Sequence, residues 1–239
     1  MKLKRKAVLF AIPVFAVLLV VSILIALKSV PASPYSGLIA ALKKYQDSGW
    51  KKYNNPLIAD SVLVTSPNRE NERLALLSGA AYDVFFLDEI NLHYALLDIN
   101  NDGQPELFIG PKPVNDYISP IFSIYSLREG KPAVVFQISR VNEDIYIYSD
   151  GTFSSSYFPS YALGYGSFRR YSITHEGMLK IEYSFQTMPP EDDDSSEPNY
   201  YNDEDGTVYT KAQVDEILSQ YDKTWQRIIW HPLKDFPES

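Results

Sequence analysis

Oxygen-bearing side chains recur at alternate positions of the segment 98–106. The segment reads Asp-Ile-Asn-Asn-Asp-Gly-Gln-Pro-Glu, so carboxylate or amide oxygens stand at its positions 1, 3, 5 and 9. A loop of this kind suits Ca²⁺, which takes about six to eight oxygen ligands. We predict a calcium site whose ligands are the following groups: Asp98, Asn100, Asp102, the backbone carbonyl of Gln104, and Glu106.

The elements that flank the segment decide which calcium geometry applies. Residues 93–97 and 107–109 are apolar enough for two strands, so the loop is expected to join strands rather than helices. A helix-loop-helix site needs an acid at position 12, which is Ile109 here, so Glu106 at position 9 is expected to supply the bidentate carboxylate. Gly103 allows the backbone to turn where a side chain would clash.

A plain hairpin turn at 101–103 is the alternative, because Asn and Asp next to Gly are strong turn signals. The other turn glycines provide an internal comparison. When Gly151, Gly177 or Gly206 is placed at position 6, position 1 is Tyr, Ser or Tyr and never an acid. The segment 98–106 therefore has more oxygen ligands than a turn requires, which favours the ion.

The segment 94–109 also resembles a known kind of calcium loop. It reads Tyr-Ala-Leu-Leu-Asp-Ile-Asn-Asn-Asp-Gly-Gln-Pro-Glu-Leu-Phe-Ile. This is similar to the single DxDxDG loops of the FG-GAP and dockerin kind, and especially to uncharacterised Gram-positive surface proteins with a Tyr-x-Leu-x-Asp-x-Asp-x-Asp-Gly-x-x-Glu-Leu signature. The resemblance implies a calcium-binding surface module. Asn100 replaces the usual acid, which lowers the expected affinity, and one copy does not imply a propeller.

The amino-terminal region predicts a membrane anchor. Four cations within residues 2–6 precede an uncharged apolar stretch, 7–27, whose 21 residues would form a helix of about 30 Å, the thickness of a hydrocarbon core. The positive-inside rule places the amino terminus in the cytoplasm. We therefore expect a cytoplasmic basic tip and signal anchor over 1–32, and an extracytoplasmic domain over 33–239.

A cleaved signal peptide is the alternative, with cleavage after Ala32 and a secreted product. The apolar run exceeds the about 7 to 15 residues of a signal-peptide core, which favours the uncleaved anchor. Many proteins that carry the signature described above are lipoproteins, but this chain has no cysteine. A lipid-modified cysteine anchor and a disulfide framework are therefore both excluded.

The outer region is acidic and suits one domain. It contains all 30 acidic residues but 17 of the 22 basic ones, and 17 minus 30 gives a formal charge of −13. Nucleic acid is therefore excluded as a partner, because phosphate binding requires a cationic face. Eight acids and no base lie within 191–205. We expect 187–206 to be an acidic flexible loop, because its apolar content is too low for burial.

The remaining pattern predicts an α+β domain, an antiparallel β-meander flanked by helices. Apolar spacing predicts a helix over 36–48, and Thr210 with Gln213 forms a capping box at the start of a second helix. A short helix is expected around 70–77, and 80–91 stays unassigned. Acid-glycine turns separate three predicted hairpins. Their strands are 121–127 with 133–138, 144–149 with 152–157, and 167–174 with 178–185.

Two sets of residues bear on function. Aromatic, Ser and Gly residues are dense over 146–171, which suits either a recognition surface, including one that stacks against sugars, or ordinary sheet packing. The rings in question include Tyr157, Phe158, Tyr161, Tyr165 and Phe168. The three histidines, 93, 175 and 231, are isolated, and no zinc-protease or nucleophile-elbow motif is present.

These patterns favour a non-catalytic, membrane-anchored, extracytoplasmic binding module with a structural calcium loop. Its expected partner is an envelope protein or polysaccharide. The alternative is a hydrolase of cell-envelope polymers whose carboxylates converge only in three dimensions. A cleft with two carboxylates within about 10 Å would favour the hydrolase, whereas aromatic rings gathered on one exposed face would favour binding.

Overall fold

The computed structural model describes residues 33–47, 63–64, 91–112, 121–138, 143–160, 165–188, 199–202 and 206–237. Within this part of the chain, two six-stranded, mostly antiparallel sheets and two α-helices form a β-rich α+β fold. The two helices are α1 (Ser36–Asp47) and α2 (Lys211–Ser219), and a 3-10 helix covers Leu233–Asp235.

Sheet 1 has the strand order β1-β5-β4-β3-β2-β12. Its strands are β1 (Leu63–Val64), β2 (His93–Leu97), β3 (Glu106–Gly110), β4 (Ser123–Arg128), β5 (Lys131–Gln137) and β12 (His231–Pro232). Consecutive strands β2 to β5 pair antiparallel, whereas β1 joins β5 in parallel. Every residue of β3 is buried, so the centre of this sheet is covered on both faces.

Sheet 2 is a six-stranded meander in sequence order, from β6 to β11. Its strands are β6 (Glu143–Ile147), β7 (Phe153–Ser160), β8 (Tyr165–Ile173), β9 (Leu179–Met188), β10 (Asn199–Asn202) and β11 (Val208–Tyr209). Buried and half-exposed residues alternate along β6, which is the pattern of a sheet with one solvated face.

The main core contains residues from both sheets and α1. Phe136 of β5 lies 5.3 Å from Phe153 of β7 and 5.4 Å from Tyr171 of β8, measured between ring centroids, so aromatic packing joins the sheets. The helix α1 contributes Leu38, Ile39, Leu42 and Tyr45 to the same core.

Most of the predicted elements are confirmed. The first helix covers Ser36–Asp47, and the three hairpins correspond to β4 with β5, β6 with β7, and β8 with β9. The capping box is present, with Gln213 N–H donating to the Thr210 hydroxyl. The predicted strands on either side of 98–106 are β2 and β3.

Two expectations need correction. The single predicted meander is divided into two sheets, because the chain leaves sheet 1 after β5 and begins sheet 2 at β6. The region 187–206 is not a loop throughout. Strand β9 extends to Met188, and Asn199–Asn202 forms β10 between β9 and β11. Tyrosine is favoured in strands, so the two tyrosines of β10 support a strand although acidic residues lie on either side of it in the sequence.

Several predictions lie outside the described residues. These are the anchor over 7–27, the cleavage point after Ala32, the helix around 70–77 and all eight acids within 191–205. Within the described residues, no helix has the length and apolar character needed to cross a bilayer.

Candidate metal centre

The loop 98–106 connects β2 to β3 and is organised by its own side chains. The Asp98 carboxylate accepts hydrogen bonds from the backbone N–H groups of Asp102, at 3.2 Å, and Gly103, at 3.0 Å. Asn100 Oδ1 accepts from the same Asp102 N–H at 3.1 Å, and Asn100 Nδ2 donates to Asp102 Oδ2 at 3.1 Å. Three of the predicted ligands therefore meet around one backbone turn.

The remaining two predicted ligands differ in their surroundings. Gln104 is exposed, and its backbone N–H donates to Asp102 Oδ1 at 2.7 Å. Glu106 is fully buried. Its Oε2 accepts from the Ile99 N–H and its Oε1 from the Ser126 hydroxyl, both at 3.0 Å. Each carboxylate oxygen keeps a further lone pair, because a carboxylate accepts about four hydrogen bonds.

The electrostatics of Glu106 are unusual. Burial raises the pKa of its carboxyl group to about 7, and the negative charge of Asp102 adds to the increase, whereas the hydrogen bonds from Ile99 and Ser126 oppose it. Among the described residues, no lysine or arginine forms an ion pair with Asp98, Asp102 or Glu106. In the described part of the chain, no cationic side chain therefore balances the carboxylates of the loop.

The loop also lies at the junction of the two sheets. Asn100 Nδ2 donates to the Thr174 carbonyl at 3.0 Å, in the turn between β8 and β9. A Cβ at Gly151, in the turn between β6 and β7, would lie 2.0 Å from the Ile99 carbonyl oxygen. The β6–β7 turn and the β8–β9 turn of sheet 2 therefore both contact the loop 98–106 of sheet 1.

A third contact comes from the start of the described chain. The Tyr35 hydroxyl lies within hydrogen-bond distance of two carbonyls, that of Pro105 at 3.0 Å and that of Tyr125 at 3.3 Å. Tyr35 is buried, and burial beside Glu106 and Asp102 raises the pKa of its hydroxyl far above the ordinary value. The residue just before α1 is therefore fixed directly to the end of the loop.

The oxygen donors and the charge of the loop fit a calcium ion. Carboxylate, amide and carbonyl oxygens are hard ligands, and the buried Glu106 carboxyl forms no ion pair with a cationic side chain in the described part of the chain. The arrangement is not that of a compact acid cluster, since no group of three or more Asp, Glu, His or Cys residues in the described part of the chain is placed to hold a metal. An ion there would rely on Asn100 and backbone oxygen as well as on carboxylates.

Comparisons of this chain with protein-family models, curated proteins and solved structures found no match. The similarity of 94–109 to DxDxDG loops therefore stays a prediction that rests on the residues themselves. A functional proposal therefore rests on the contacts that those residues make.

Sequence reasoning missed the residues that hold the loop from a distance. Ser126 of β4 and Thr174 of the β8–β9 turn are 20 and 74 positions away from the groups they bind. The signal in the sequence was a serine between apolar residues on a mostly buried strand, because a buried polar side chain requires a hydrogen-bond partner. That signal identifies the need for a partner but not its identity.

A second buried charge lies in sheet 2. Arg170 of β8 is 3% exposed, and its guanidinium donates to Asp150 at 2.9 Å, to the Thr152 hydroxyl at 2.6 Å and to the Asp222 carbonyl at 2.8 Å. The rings of Tyr148 and Tyr221 lie 3.9 and 4.8 Å from its central carbon, within cation–π distance. Sequence reasoning did not single out this residue.

The tyrosines and histidines that were singled out are dispersed. Tyr157 and Phe168 are half-buried, and Tyr171 is fully buried in the core, so these rings do not form one exposed face. The side chains of Phe158, Tyr161 and Tyr165 lie outside the described part. Of the histidines, His93 lies within hydrogen-bond distance of the Asn91 carbonyl and His231 packs on Tyr94.

Proposed function

We propose that this chain is a membrane-anchored, extracytoplasmic binding module whose loop 98–106 binds a structural calcium ion. The observation that carries the proposal is the buried Glu106 carboxyl, which has no lysine or arginine partner among the described residues and closes a loop that contacts both sheets. A cation bound by Asp98, Asn100, Asp102, the Gln104 carbonyl and Glu106 would supply the missing charge. It would stabilise the junction between the sheets.

The anchor and the orientation are part of the same proposal. The apolar segment 7–27 holds the chain in the membrane, and the domain from residue 33 lies outside the cytoplasm. Extraction of isolated membranes at alkaline pH tests the anchor, and external protease tests the orientation. We expect the chain to stay in the membrane and the outer domain to be digested. Release into the soluble fraction would favour cleavage after Ala32.

The geometry gives less support to an envelope hydrolase. A pocket between β9 and α2 is lined by one carboxylate, Glu182, which accepts from the Ser172 hydroxyl at 2.5 Å and from Lys180 at 3.0 Å. Most glycosidases place two carboxylates on opposite sides of the bond that they cleave. A binding role therefore fits this pocket better than hydrolysis does.

Calcium binding is tested by calorimetry and thermal unfolding of the full chain in nanodiscs. At the about 0.1 to 1 mM affinity typical of extracellular modules, 1 mM Ca²⁺ should add about 0.4 to 1.4 kcal/mol of stability. For a domain of this size, that is a rise in Tm of about 1 to 5 °C. Mg²⁺ should have less effect, because it requires a tighter octahedral site.

The matched variants for this test are Asp102→Asn and Asp215→Asn. The first removes a predicted ligand charge and should abolish the rise, whereas the second changes an exposed residue of α2 and should retain it. If millimolar Ca²⁺ produces neither heat nor a higher Tm in the unmodified chain, the calcium part of the proposal is wrong.

The binding role is tested by affinity capture from envelope extract with the nanodisc-bound full chain. We expect an envelope protein or polysaccharide to be retained more strongly in Ca²⁺ than in chelator. Empty nanodiscs provide the control. Equal retention on empty nanodiscs would contradict a binding module, and release of soluble polymer fragments during incubation would favour the hydrolase.

A further inference from the structure

The outer face of α1 differs in charge from the rest of the domain. The helix has no acidic residue before Asp47, its last position, and one of its two lysines, Lys43, is half-buried. The exposed positions before Asp47 share one helical face by their i, i+3, i+4 and i+7 spacing, and they are Gly37, Ala40, Ala41 and Lys44. This outer face is therefore uncharged except for a lysine.

The charge of the sequence changes sign a short distance past α1. Residues 28–59, which follow the proposed anchor, contain five lysines and one acid, a formal charge of +4. Residues 60–239 contain 13 bases and 29 acids, a formal charge of −16. An anionic lipid surface attracts lysines within about a Debye length and repels carboxylates over the same range. Of the two described helices, α1 is the one whose charge suits such a surface.

The proposed anchor leaves little chain between the bilayer and α1. Five residues separate the segment 7–27 from Ser33, and the six peptide steps from residue 27 to residue 33 span at most about 22 Å. The headgroup layer itself occupies about 5–7 Å of that distance. Ser33 is therefore confined near the headgroups, and α1 begins three residues later, at Ser36.

The helix α1 is fixed to the sheets at both ends. Just before its first residue, the Tyr35 hydroxyl lies within hydrogen-bond distance of the Pro105 and Tyr125 carbonyls. In its last turn, the Gln46 side chain accepts a hydrogen bond from the Leu92 N–H at 2.9 Å. Because the helix cannot swing away from the core beneath it, contact of its outer face with a surface would orient the core as well.

We propose that the outer face of α1 docks on the anionic lipid headgroups of the membrane that holds the chain. Lys44 contacts lipid phosphate, and the short side chains beside it let the helix backbone approach the headgroups. The acidic remainder of the domain then faces away from the bilayer, where an envelope partner can reach it. This inference rests on the proposed membrane anchor and names a surface and its partner.

The test measures how near α1 lies to the headgroups in the full chain. The chain contains no cysteine, so Ala40→Cys gives one labelling site for a fluorophore on the outer face of α1. Glu216→Cys, at an exposed position of α2, is the matched control. Each variant is placed in nanodiscs, one chain per disc, whose lipid includes a headgroup spin label that quenches the fluorophore. In equimolar phosphatidylcholine and phosphatidylglycerol, we expect stronger quenching at residue 40 than at residue 216.

Charge reversal separates an electrostatic contact from nearness alone. Added to Ala40→Cys, Lys44→Glu should lower the ratio of docked to undocked domain about tenfold or more, because each charge near an anionic surface contributes to binding. Lys211→Glu makes the same change at an exposed lysine of α2 and should leave the quenching at residue 40 unchanged. Pure phosphatidylcholine should reduce the quenching, as should about 1 M NaCl, which shortens the Debye length to about 3 Å. The Tm of each variant establishes that it folds.

Three results would overturn the inference. They are equal quenching at residues 40 and 216, quenching at residue 40 that persists in Lys44→Glu and in high salt, or quenching that appears only with two chains per disc, which would assign the face to a second copy. Coelution with the nanodiscs separates this inference from the anchor. A chain that stays in the disc with residue 40 unquenched retains the anchor without the docking, whereas a chain that leaves the disc contradicts both.

Discussion

Arg170 and Glu106 are both buried charges, but they are balanced in different ways. Arg170 has a carboxylate, a hydroxyl, a carbonyl and two aromatic rings within reach, all supplied by this chain. Glu106 has an N–H and a hydroxyl donor but no cationic partner among the described residues. The charge in sheet 2 is neutralised internally, whereas the charge in sheet 1 requires a proton or a cation from solution.

The difference assigns separate roles to the two regions. The Arg170 cluster fixes the segment after α2 against sheet 2, since Asp222 lies in that segment. Glu106 makes the junction between the sheets sensitive to the solution, because its charge state changes near pH 7. The stability of the protein should therefore respond strongly to mutation in the Arg170 cluster. At Glu106 it should respond to pH and calcium.

The largest expected effect is that of Arg170→Met. This change removes the hydrogen bonds of the guanidinium to Asp150, Thr152 and the Asp222 carbonyl and its contacts with two rings, so we expect a loss of about 3–5 kcal/mol in unfolding free energy. Urea denaturation of the full chain in nanodiscs measures it. Lys180→Met, at an exposed ion pair, should change stability by less than about 1 kcal/mol. Similar losses in both variants would show that Arg170 is not a structural centre.

The next effect is a pH dependence removed by Glu106→Gln. The folded pKa of Glu106, about 7, exceeds its ordinary value of 4.5, so the folded state binds the proton more tightly and stability falls as pH rises from about 4.5 to 7. Without calcium, this fall should amount to about 3 kcal/mol. Glutamine has no charge to bury, and the Ser126 hydroxyl can accept a hydrogen bond from it. The variant should therefore be more stable than the original at pH 8.

Thermal unfolding between pH 4 and 8 in chelator measures this effect, and Glu216→Gln, at an exposed position, should reproduce the original profile. Calcium should reduce the fall in the unmodified chain, because a bound cation favours the ionised carboxylate. A fall of the same size in Glu106→Gln would assign the pH dependence to other groups.

The smallest difference between a variant and its control concerns the junction itself. Gly151 and Gly130 both have positive φ, 80° and 74°, but a Cβ at Gly151 would lie 2.0 Å from the Ile99 carbonyl oxygen, whereas one at Gly130 would meet nothing within 4 Å. Alanine at either site costs about 1–2 kcal/mol for the backbone. Gly151→Ala should cost about 2 kcal/mol more, because the turn must move away from the loop. Equal unfolding free energies for the two alanine variants would contradict a close contact between the sheets.

Local features of the fold could be predicted from the sequence. Acid-glycine turns located the hairpins, the Thr210 to Gln213 spacing located the start of α2, and the oxygen pattern over 98–106 located a loop that folds around its own carboxylates. Each of these depends on residues within a few positions of one another, where spacing alone determines which groups can meet.

Long-range features could not be predicted in the same way. The packing of separate hairpins determines the division into two sheets. It also determines the contacts between Arg170 and Asp222 and between Asn100 and Thr174. Strand β10 is a further case, because pairing with β9 and β11 stabilises a segment whose acidic surroundings suggest a loop. Pairwise spacing does not encode such packing, and tertiary contacts override local preference.

The buried hydroxyl of Tyr35 has a mechanical consequence. A pull on the chain from the side of Ser33 first loads the turn that the Ser36 N–H and the Ser33 carbonyl close. The next bonds to bear the load, and the first to join this segment to the sheets, are those of the Tyr35 hydroxyl to the Pro105 and Tyr125 carbonyls. These bonds lie in the interior rather than along an edge strand. A force applied through the residues before Ser33 would therefore reach the sheets through the end of loop 98–106. The rest of the two sheets would be loaded only after the hydrogen bonds of Tyr35 had broken.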